Sequence, residues 1–214
     1  MLVSWVMTKN PVFINPDMGI TEVRSLMDKE KIGHMPVLDK NNCLVGLVTR
    51  EDLIKAGPSA ATSLDMYEIS YLISKMTAKD VMKKEVITVS EDVVVEEAAR
   101  IMSDRGIGCL PVMREKLLVG IITDTDLFRV FVNFFGARHP GVRITCSLKE
   151  KPGQLAKISQ AIAEKGGNIV SLITSEGDDL SSRRVTIKIG GLLRADVEAL
   201  VKAFSDMTLE DIRD

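Results

Sequence analysis

The chain contains an internal repeat, which constrains its fold more than any other feature of the sequence. The recurring residues are mostly apolar residues, glycines and prolines, and the matched runs are Val6-Met7 with Val81-Met82, Ile32-Gly33 with Ile107-Gly108, Pro36-Val37 with Pro111-Val112, Leu44-Val45-Gly46 with Leu118-Val119-Gly120, and Asp52-Leu53 with Asp126-Leu127. Two copies are too few to form a solenoid. They predict a pseudo-two-fold pair in which each copy buries apolar surface that the other exposes.

Each copy has the same predicted order of secondary structure. Short apolar runs at residues 12–14 and 86–89 have the composition of strands, and the polar turns after them end in Asp17 and Asp92, which we expect to cap or open a helix. Two further strands follow each helix, and the second strand leads into another helix. The order is β-α-β-β-α, which places the pair in the α+β class.

A break in the chain separates the two copies. Gly57 and Pro58 interrupt the helical pattern, and Thr62 or Ser63 can cap a linker helix. The apolar stripe of this helix is formed by Ile69, Leu72, Ile73 and Met76. The first copy is therefore expected at residues 1–57, the linker helix at 58–75, the second copy at 76–135 and a further domain at 136–214.

One motif in each copy resembles a known family. Residues 46–52 (Gly-Leu-Val-Thr-Arg-Glu-Asp) and 120–126 (Gly-Ile-Ile-Thr-Asp-Thr-Asp) are similar to the G-h-h-[ST]-x-x-D signature of CBS domains. Each motif follows a Gly-x-h-Pro segment, at residues 33–36 and 108–111, as it does in that family. The resemblance implies two tandem CBS motifs that form a pseudo-two-fold pair.

The chemistry of this motif suits an adenosine ligand. A threonine at the strand end and an aspartate in the next helical turn lie side by side, and the carboxylate can accept the paired hydroxyls of a ribose. The resemblance implies AMP, ADP, ATP or S-adenosylmethionine as ligand, with adenine against the glycine backbone. The implied nucleotide-binding residues are Val12, Gly33, His34, Thr49, Asp52, Ile87, Gly108, Cys109, Thr123 and Asp126. The alternative is that each threonine and aspartate only caps its helix.

The two pockets are predicted to differ in charge. The residue after the threonine is Arg50 in the first copy and Asp124 in the second. A cation beside the helix start attracts phosphate, whereas a carboxylate competes with phosphate for the same amides. We therefore expect the first pocket to accept phosphate better, unless both side chains point to solvent, where screening weakens the effect.

A third module follows Pro140-Gly141. Its predicted β-α-β-β-α order, the Lys-Pro-Gly-Gln-Leu loop at residues 151–155 and the Gly-Gly-Asn-Ile turn at 166–169 resemble ACT domains, which have a ferredoxin-like fold. The resemblance implies an amino acid or similar metabolite bound by Gly153, Gln154, Leu155, Asn168 and Ile169. Two alternatives remain, because Pro152-Gly153 can simply shape a turn and many ACT domains only dimerise.

Composition argues against several other functions. The net charge of −2 provides no basic face for nucleic acid, and no apolar stretch approaches the roughly 20 residues of a membrane span. Three separated cysteines and two histidines offer neither a disulfide framework, a histidine-rich metal site nor a catalytic acid–base pair. We expect a cytoplasmic protein without catalytic residues, metal or cofactor, and without nucleic-acid or membrane partners.

The CBS-CBS-ACT order is similar to that of the acetoin-utilisation (AcuB-type) proteins of bacteria, although Glu150-Lys151 replaces the Asp-Arg common in ACT domains. It implies a regulatory role in carbon metabolism, exerted on an unknown regulated protein. We expect a homodimer, because a CBS pair leaves helical faces to pack on a second pair and an ACT sheet leaves an edge strand that pairing would satisfy. The principal alternative is a structural dimerisation module without a ligand, and an enzyme would need a catalytic constellation that the sequence does not offer.

Overall fold

The computed structural model describes residues 1–57, 65–177 and 181–214. It contains two compact units, Met1–Leu127 and Phe128–Asp214. The division falls inside the last helix of the second repeat, several residues before the boundary predicted at residue 136. The predicted domain limits remain predictions.

The first unit contains both repeats, and the elements of each follow the same order. The elements before and within the first repeat are α1 (Val3–Val6), β1 (Thr8–Lys9), α2 (Ile20–Glu30), β2 (His34–Leu38), β3 (Leu44–Thr49) and α3 (Arg50–Lys55). The linker and second repeat contain α4 (Met66–Lys75), α5 (Ala78–Val81), β4 (Val89–Ser90), α6 (Val95–Arg105), β5 (Cys109–Arg114), β6 (Leu117–Thr123) and α7 (Asp124–Phe134).

The repeats exchange the segments that precede them. β1 comes before the first repeat but pairs with β6 of the second, in a sheet of order β1-β6-β5-β4. The first repeat has the same arrangement around the β2-β3 pair, since Ile14 bridges to Val37 on one side and Lys83 bridges to Leu47 on the other. Each sheet is therefore completed by the chain that leads into the other repeat.

The two cores show the same exchange. Val3, at the start of the chain, is fully buried with Leu110 and Ile122 of the second repeat. Ala78, its equivalent before the second repeat, is fully buried with Val23 and Val48 of the first. This reciprocal burial couples the stability of the two repeats, because neither apolar core is complete without the other copy's leading segment.

Several local predictions for this unit need correction. The opening strands are shorter than expected, with only Ile14 bridged in the first copy and only β4 in the second. Asp17 and Asp92 precede the helices without capping them, because α2 and α6 begin three residues further on, with Gly19 and Val94 as their N-caps.

The linker helix is capped by Asp65, whose side chain accepts bonds from the amides of Tyr67 and Glu68 at 2.8 Å each. The candidate caps Thr62 and Ser63 lie outside the described residues. Of the predicted stripe, Leu72 is exposed rather than packed.

The second unit has the ferredoxin-like order, with one strand more than predicted. Its elements are β7 (Val142–Lys149), α8 (Gln154–Glu164), β8 (Asn168–Glu176), β9 (Ser182–Gly190), α9 (Arg194–Lys202) and β10 (Met207–Arg213). The four strands form an antiparallel sheet of order β10-β7-β9-β8, and two helices pack on one face over a core that includes Ile144, Ile158 and Ile187. The sequence did not predict β10, because a bulge between Leu209 and Asp211 interrupts the alternation of this strand.

Candidate functional site

Thr49 and Asp52 form a capping box at the start of α3. One carboxylate oxygen of Asp52, Oδ2, accepts bonds from the Thr49 amide at 2.8 Å and the Thr49 hydroxyl at 2.6 Å. The Asp52 amide donates in return to Thr49 Oγ1 at 3.2 Å. The capping role that the sequence left open therefore exists, and it occupies only one of the two carboxylate oxygens.

Thr123 and Asp126 repeat this geometry at the start of α7. Asp126 Oδ2 accepts from the Thr123 amide at 2.9 Å and from its hydroxyl at 2.8 Å. Asp126 is almost fully buried. Both motifs thus hold a carboxylate rigidly at the C-terminal end of a strand, where loops commonly form ligand sites.

A cavity of about 300 Å³ lies where the two repeats meet in the first unit. Its volume is at the small end of the range of small-molecule sites. The lining residues come from both repeats and from the segment between them, and they are Gly33, His34, Leu47, Thr49, Arg50, Glu51, Lys83, Glu85, Val86, Ile87, Gly106, Ile107, Gly108 and Cys109. The cavity is therefore composite, with the threonine of the first motif facing the glycine segment of the second.

The exchanged backbone explains why the cavity is composite. The amide and carbonyl of Lys83 bond to Leu47 with N···O distances of 2.9 and 3.0 Å. This pairing fixes the chain leading to Val86 and Ile87 beside the first repeat, although these residues open the second.

Lys83 carries a charge into this cavity. Its Nζ lies 3.8 Å from Asp52 Oδ1, the oxygen that the capping box leaves unused. Among the residues that the sequence analysis missed, Lys83 is the most informative. Its signal was the position directly after the repeated Val-Met pair, where the first copy has Thr8.

His34 and Cys109 occupy equivalent positions in the two repeats, and burial shifts both pKa values toward the neutral form. Burial lowers the pKa of His34 more than the nearby Asp124 carboxylate raises it. Burial, with Asp124, raises the pKa of Cys109 to about 12. Burial therefore favours the neutral imidazole of His34 and the neutral thiol of Cys109 in this cavity.

Arg50 lines the cavity, but its guanidinium points toward α2. Its guanidinium bonds to the Asp28 carboxylate at 2.5 Å and to the carbonyl of Ile32 at 3.0 Å. The expected contribution of Arg50 to phosphate binding is weakened by this ion pair, because a charge that is already paired attracts a ligand less.

Gly108 allows close approach at the centre of the site. A Cβ atom at this position would lie 3.2 Å from Asp124 Oδ2 and 3.5 Å from His34 Nε2. Side chains from both repeats therefore converge on this backbone, and any larger residue would crowd them.

The structure brings together part of the predicted nucleotide set. Gly33, His34, Thr49, Ile87, Gly108 and Cys109 line the cavity, and Asp52 adjoins it through Lys83. The remaining three, Val12, Thr123 and Asp126, do not line it. Val12 is the repeat equivalent of Ile87, and Thr123 and Asp126 are the repeat equivalents of Thr49 and Asp52.

A separate cavity of about 400 Å³ lies in the second unit beside the Pro-Gly loop. Gly153, Gln154 and Leu155 line it, whereas Asn168 and Ile169 do not. Gln154 is buried, and its amide donates to Asp206 Oδ2 at 3.2 Å.

Three cations line this second cavity, and each of them has an acidic partner. Lys149 and Lys151 pair with Asp206 at 3.2 and 3.9 Å, and Arg183 pairs with Glu150. Hydrogen bonds from Lys149 and Gln154 lower the pKa of Asp206, which keeps that carboxylate ionised beside the loop.

The described residues contain neither a metal-binding cluster nor a membrane-spanning helix. No cluster of three or more histidine, cysteine, aspartate or glutamate side chains there could hold a metal ion. Across residues 1–57, 65–177 and 181–214, no helix has the length and apolar character needed to cross a membrane.

Comparison with known proteins identifies both modules. Residues 4–59 and 78–133 match the CBS domain family, and residues 140–213 match the TTHA0829-like ACT domain family. Among curated proteins, L-aspartate semialdehyde sulfurtransferase of Methanocaldococcus jannaschii is 30% identical over 131 residues. The match covers 61% of this chain and only 23% of that enzyme, so the chain spans about a quarter of its length.

Three solved structures resemble the CBS pair. A candidate acetoin utilization protein (AcuB) from Vibrio cholerae has a TM-score of 0.54 and 30% identity, over 65% of this chain and 98% of its own. The CBS pair of protein MJ0100, in complex with 5'-methylthioadenosine and S-adenosyl-L-methionine, has a TM-score of 0.53 and 29% identity, over 65% and 98%. CBSX2 in complex with AMP has a TM-score of 0.51 and 28% identity, over 61% and 96%.

CBS and ACT domains are regulatory modules, and the enzymes among the relatives match only through their CBS part. The repeat, the two capping boxes and the ferredoxin-like unit agree with these matches in position and order. The chain belongs to the CBS domain family and carries a TTHA0829-like ACT domain after its CBS pair.

Proposed function

We propose that this protein is a non-catalytic regulatory sensor whose CBS pair binds an adenosine nucleotide in the cavity between the repeats. The observation that carries the proposal is the convergence of Thr49, Ile87 and Gly108 on one cavity, with the Asp52 carboxylate beside it. These groups come from three separate parts of the chain. Only the folded CBS pair brings these groups together, so a ligand bound there stabilises the folded state.

Each group has a distinct role in this proposal. Asp52 uses Oδ2 in the capping box, and its Oδ1 accepts hydrogen bonds from the ribose hydroxyls. Ile87 packs against the adenine, and Gly108 and Cys109 present backbone groups to its edge. Gly33 and His34 line the same cavity from the first repeat. Val12, Thr123 and Asp126 form the corresponding second position, related by the repeat.

Relatives with bound ligands support this ligand class. The CBSX2 structure contains AMP, and the MJ0100 pair contains 5'-methylthioadenosine and S-adenosyl-L-methionine. All three molecules share an adenosine moiety. AMP, ADP, ATP and S-adenosylmethionine are therefore the candidates to test first.

We also propose that the ACT domain binds an amino acid or similar carboxylate beside Gly153, Gln154 and Leu155. The three cations around that cavity outnumber their two acidic partners, Glu150 and Asp206, which favours a carboxylate ligand. Asn168 and Ile169 would complete the site from a second subunit, which fits a homodimer. The likeness to the V. cholerae protein supports a role in acetoin utilization. We propose that this role is regulatory and is carried out in the cytoplasm.

Thermal denaturation with added ligand tests the sensor proposal. Tm should rise with an adenosine nucleotide and stay unchanged with GMP or CMP at the same concentration, because a ligand that binds only the folded state stabilises it by about 2.7 kcal/mol at 100 times its Kd. Calorimetric titration then gives the stoichiometry. No Tm shift and no heat with any of the four candidates would favour the structural dimerisation module.

A further inference from the structure

The two halves of the pair share a backbone but differ in charge at one equivalent position. Lys83 pairs with Leu47, and Thr8, its repeat equivalent, pairs with Ile121. Both residues are exposed, and both follow a Val-Met pair whose methionine packs against a glycine of the opposite repeat. One half therefore presents an ammonium group where the other presents a hydroxyl.

The ammonium of Lys83 is held loosely at the ribose-binding carboxylate. The distance of 3.8 Å to Asp52 Oδ1 is too long for a strong hydrogen bond, and the lysine side chain is 54% exposed against 9% for Asp52. A flexible lysine of this kind can leave its carboxylate for a nearby phosphate. Lys83 also lines the same cavity as Thr49, where a ligand would lie.

The other half has the opposite character next to its motif. Asp124 Oδ1 accepts the amide of Thr125 at 2.6 Å, so a carboxylate already occupies a first-turn amide of α7. In the first half, the equivalent Arg50 is paired with Asp28 and adds no such negative charge. Asp124 Oδ2 would lie 3.2 Å from a Cβ built at Gly108, so this carboxylate also borders the cavity that Lys83 lines, and the Lys83 ammonium is the cation that a phosphate there would use.

We infer that Lys83 makes the cavity at Asp52 the site for phosphate-bearing adenosine ligands, whereas Thr8, which carries no charge, leaves the position at Asp126 to adenosine ligands without phosphate. This inference rests on the proposed function and adds a division of labour between two pseudo-equivalent positions. The protein would then sense a nucleotide and a phosphate-free adenosine compound at the same time.

Exchanging the two equivalent residues tests the inference. Adenosine and AMP are titrated at low salt into the parent protein, Lys83→Thr and Thr8→Lys, with the methyl NMR signals of Ile87 and Val12 reporting the two positions separately. Lys83→Gln, which keeps a polar side chain of nearly the same length without the charge, provides a second variant. Lys84→Thr is the matched control, because it removes a neighbouring exposed lysine that does not line the cavity.

Lys83→Thr should weaken AMP binding at the Ile87 reporter by about tenfold, which is the effect of losing one charge-assisted hydrogen bond, and leave adenosine within about twofold. Thr8→Lys should strengthen AMP binding at the Val12 reporter, and Lys84→Thr should change neither. An unchanged AMP-to-adenosine ratio at Ile87 in both Lys83 variants would overturn the inference while the proposed function stands. If neither ligand shifts either methyl signal in the parent protein, the proposed function itself fails.

Discussion

Lys83 and Leu47 exchange both of their backbone hydrogen bonds although they belong to different repeats. Thr8 and Ile121 are paired in the equivalent place on the other half. The leading segment of each repeat is thus an integral strand of the other repeat's sheet. This exchange brings groups of both CBS motifs to one cavity, and it yields predictions for stability as well as for binding.

Gly46→Ala and Gly120→Ala should destabilise the first unit. An added Cβ at Gly46 would collide with the Met82 thioether and lie 3.2 Å from the carbonyl oxygen of Lys83, and Gly120 faces Met7 in the same way. Overpacking of this kind costs about 1–3 kcal/mol, which urea denaturation can measure. Gly33→Ala is the matched control, because no atom lies within 4 Å of its added Cβ. Equal stability of all three variants would contradict the exchanged arrangement.

Asp52→Ala should reduce both stability and nucleotide affinity. The loss of the cap costs about 1 kcal/mol, and the loss of a charged ribose acceptor costs about 1.5–3 kcal/mol of binding. Asp80→Ala is the control, since Asp80 forms the same capping box with Thr77 but lies away from the cavity lining. It should lower Tm and leave the calorimetric affinity for AMP unchanged. Similar affinity losses in both variants would mean that Asp52 acts only as a cap.

The stability of the protein should depend on His34 as the pH falls below about 6.5. Burial lowers the folded-state pKa of His34 below its usual value of about 6.5, so the unfolded chain binds the proton more readily. Its contribution to stability is present above pH 6.5 and is lost as the pH falls through the folded-state pKa. His34→Gln should flatten the decrease in the free energy of unfolding over this range. His139→Gln is the natural control, because His139 is the other histidine of the chain.

Cys43 should react with thiol reagents much faster than the other two cysteines. Cys43 is exposed, whereas burial raises the pKa of both Cys109 and Cys146 to about 12, which suppresses their thiolate form. Mass spectrometry after brief alkylation at pH 8 should show one modification on the native protein and three in denaturant. Cys43→Ser should abolish the fast reaction. Rapid labelling of Cys109 in the native protein would show that the cavity between the repeats opens and exposes this thiol to solvent.

The homodimer predicted from the sequence can be tested through α7. Phe128 and Phe131 on this helix are 68% and 58% exposed, which is an unusual exposure for aromatic rings outside an interface. Light scattering should therefore give a dimer for the parent protein, and Phe128→Glu should shift it toward the monomer. Leu117→Glu is the control, because Leu117 is similarly exposed on β6. A monomeric parent at micromolar concentration would refute the dimer.

The sequence alone determined the class of the fold and much of the candidate site. The recurrence of Gly-x-h-Pro and of the threonine–aspartate motif was visible because these residues serve local needs, namely a close backbone approach and a capping box. Thr49 with Asp52 and Thr123 with Asp126 show the predicted neighbouring geometry for the same reason. The ACT unit was predicted from its periodicity, except for the bulged strand β10.

Only the tertiary structure decided which residues of the two repeats contact one another. Nothing local in the sequence says that Val3 packs into the second repeat or that Lys83 pairs with Leu47, because such contacts depend on distant residues being buried together. For the same reason the sequence assigned the phosphate preference to Arg50, whose charge the fold directs to Asp28, and overlooked Lys83 beside Asp52. Side-chain chemistry follows from residue identity, whereas the partner of each charge follows only from packing.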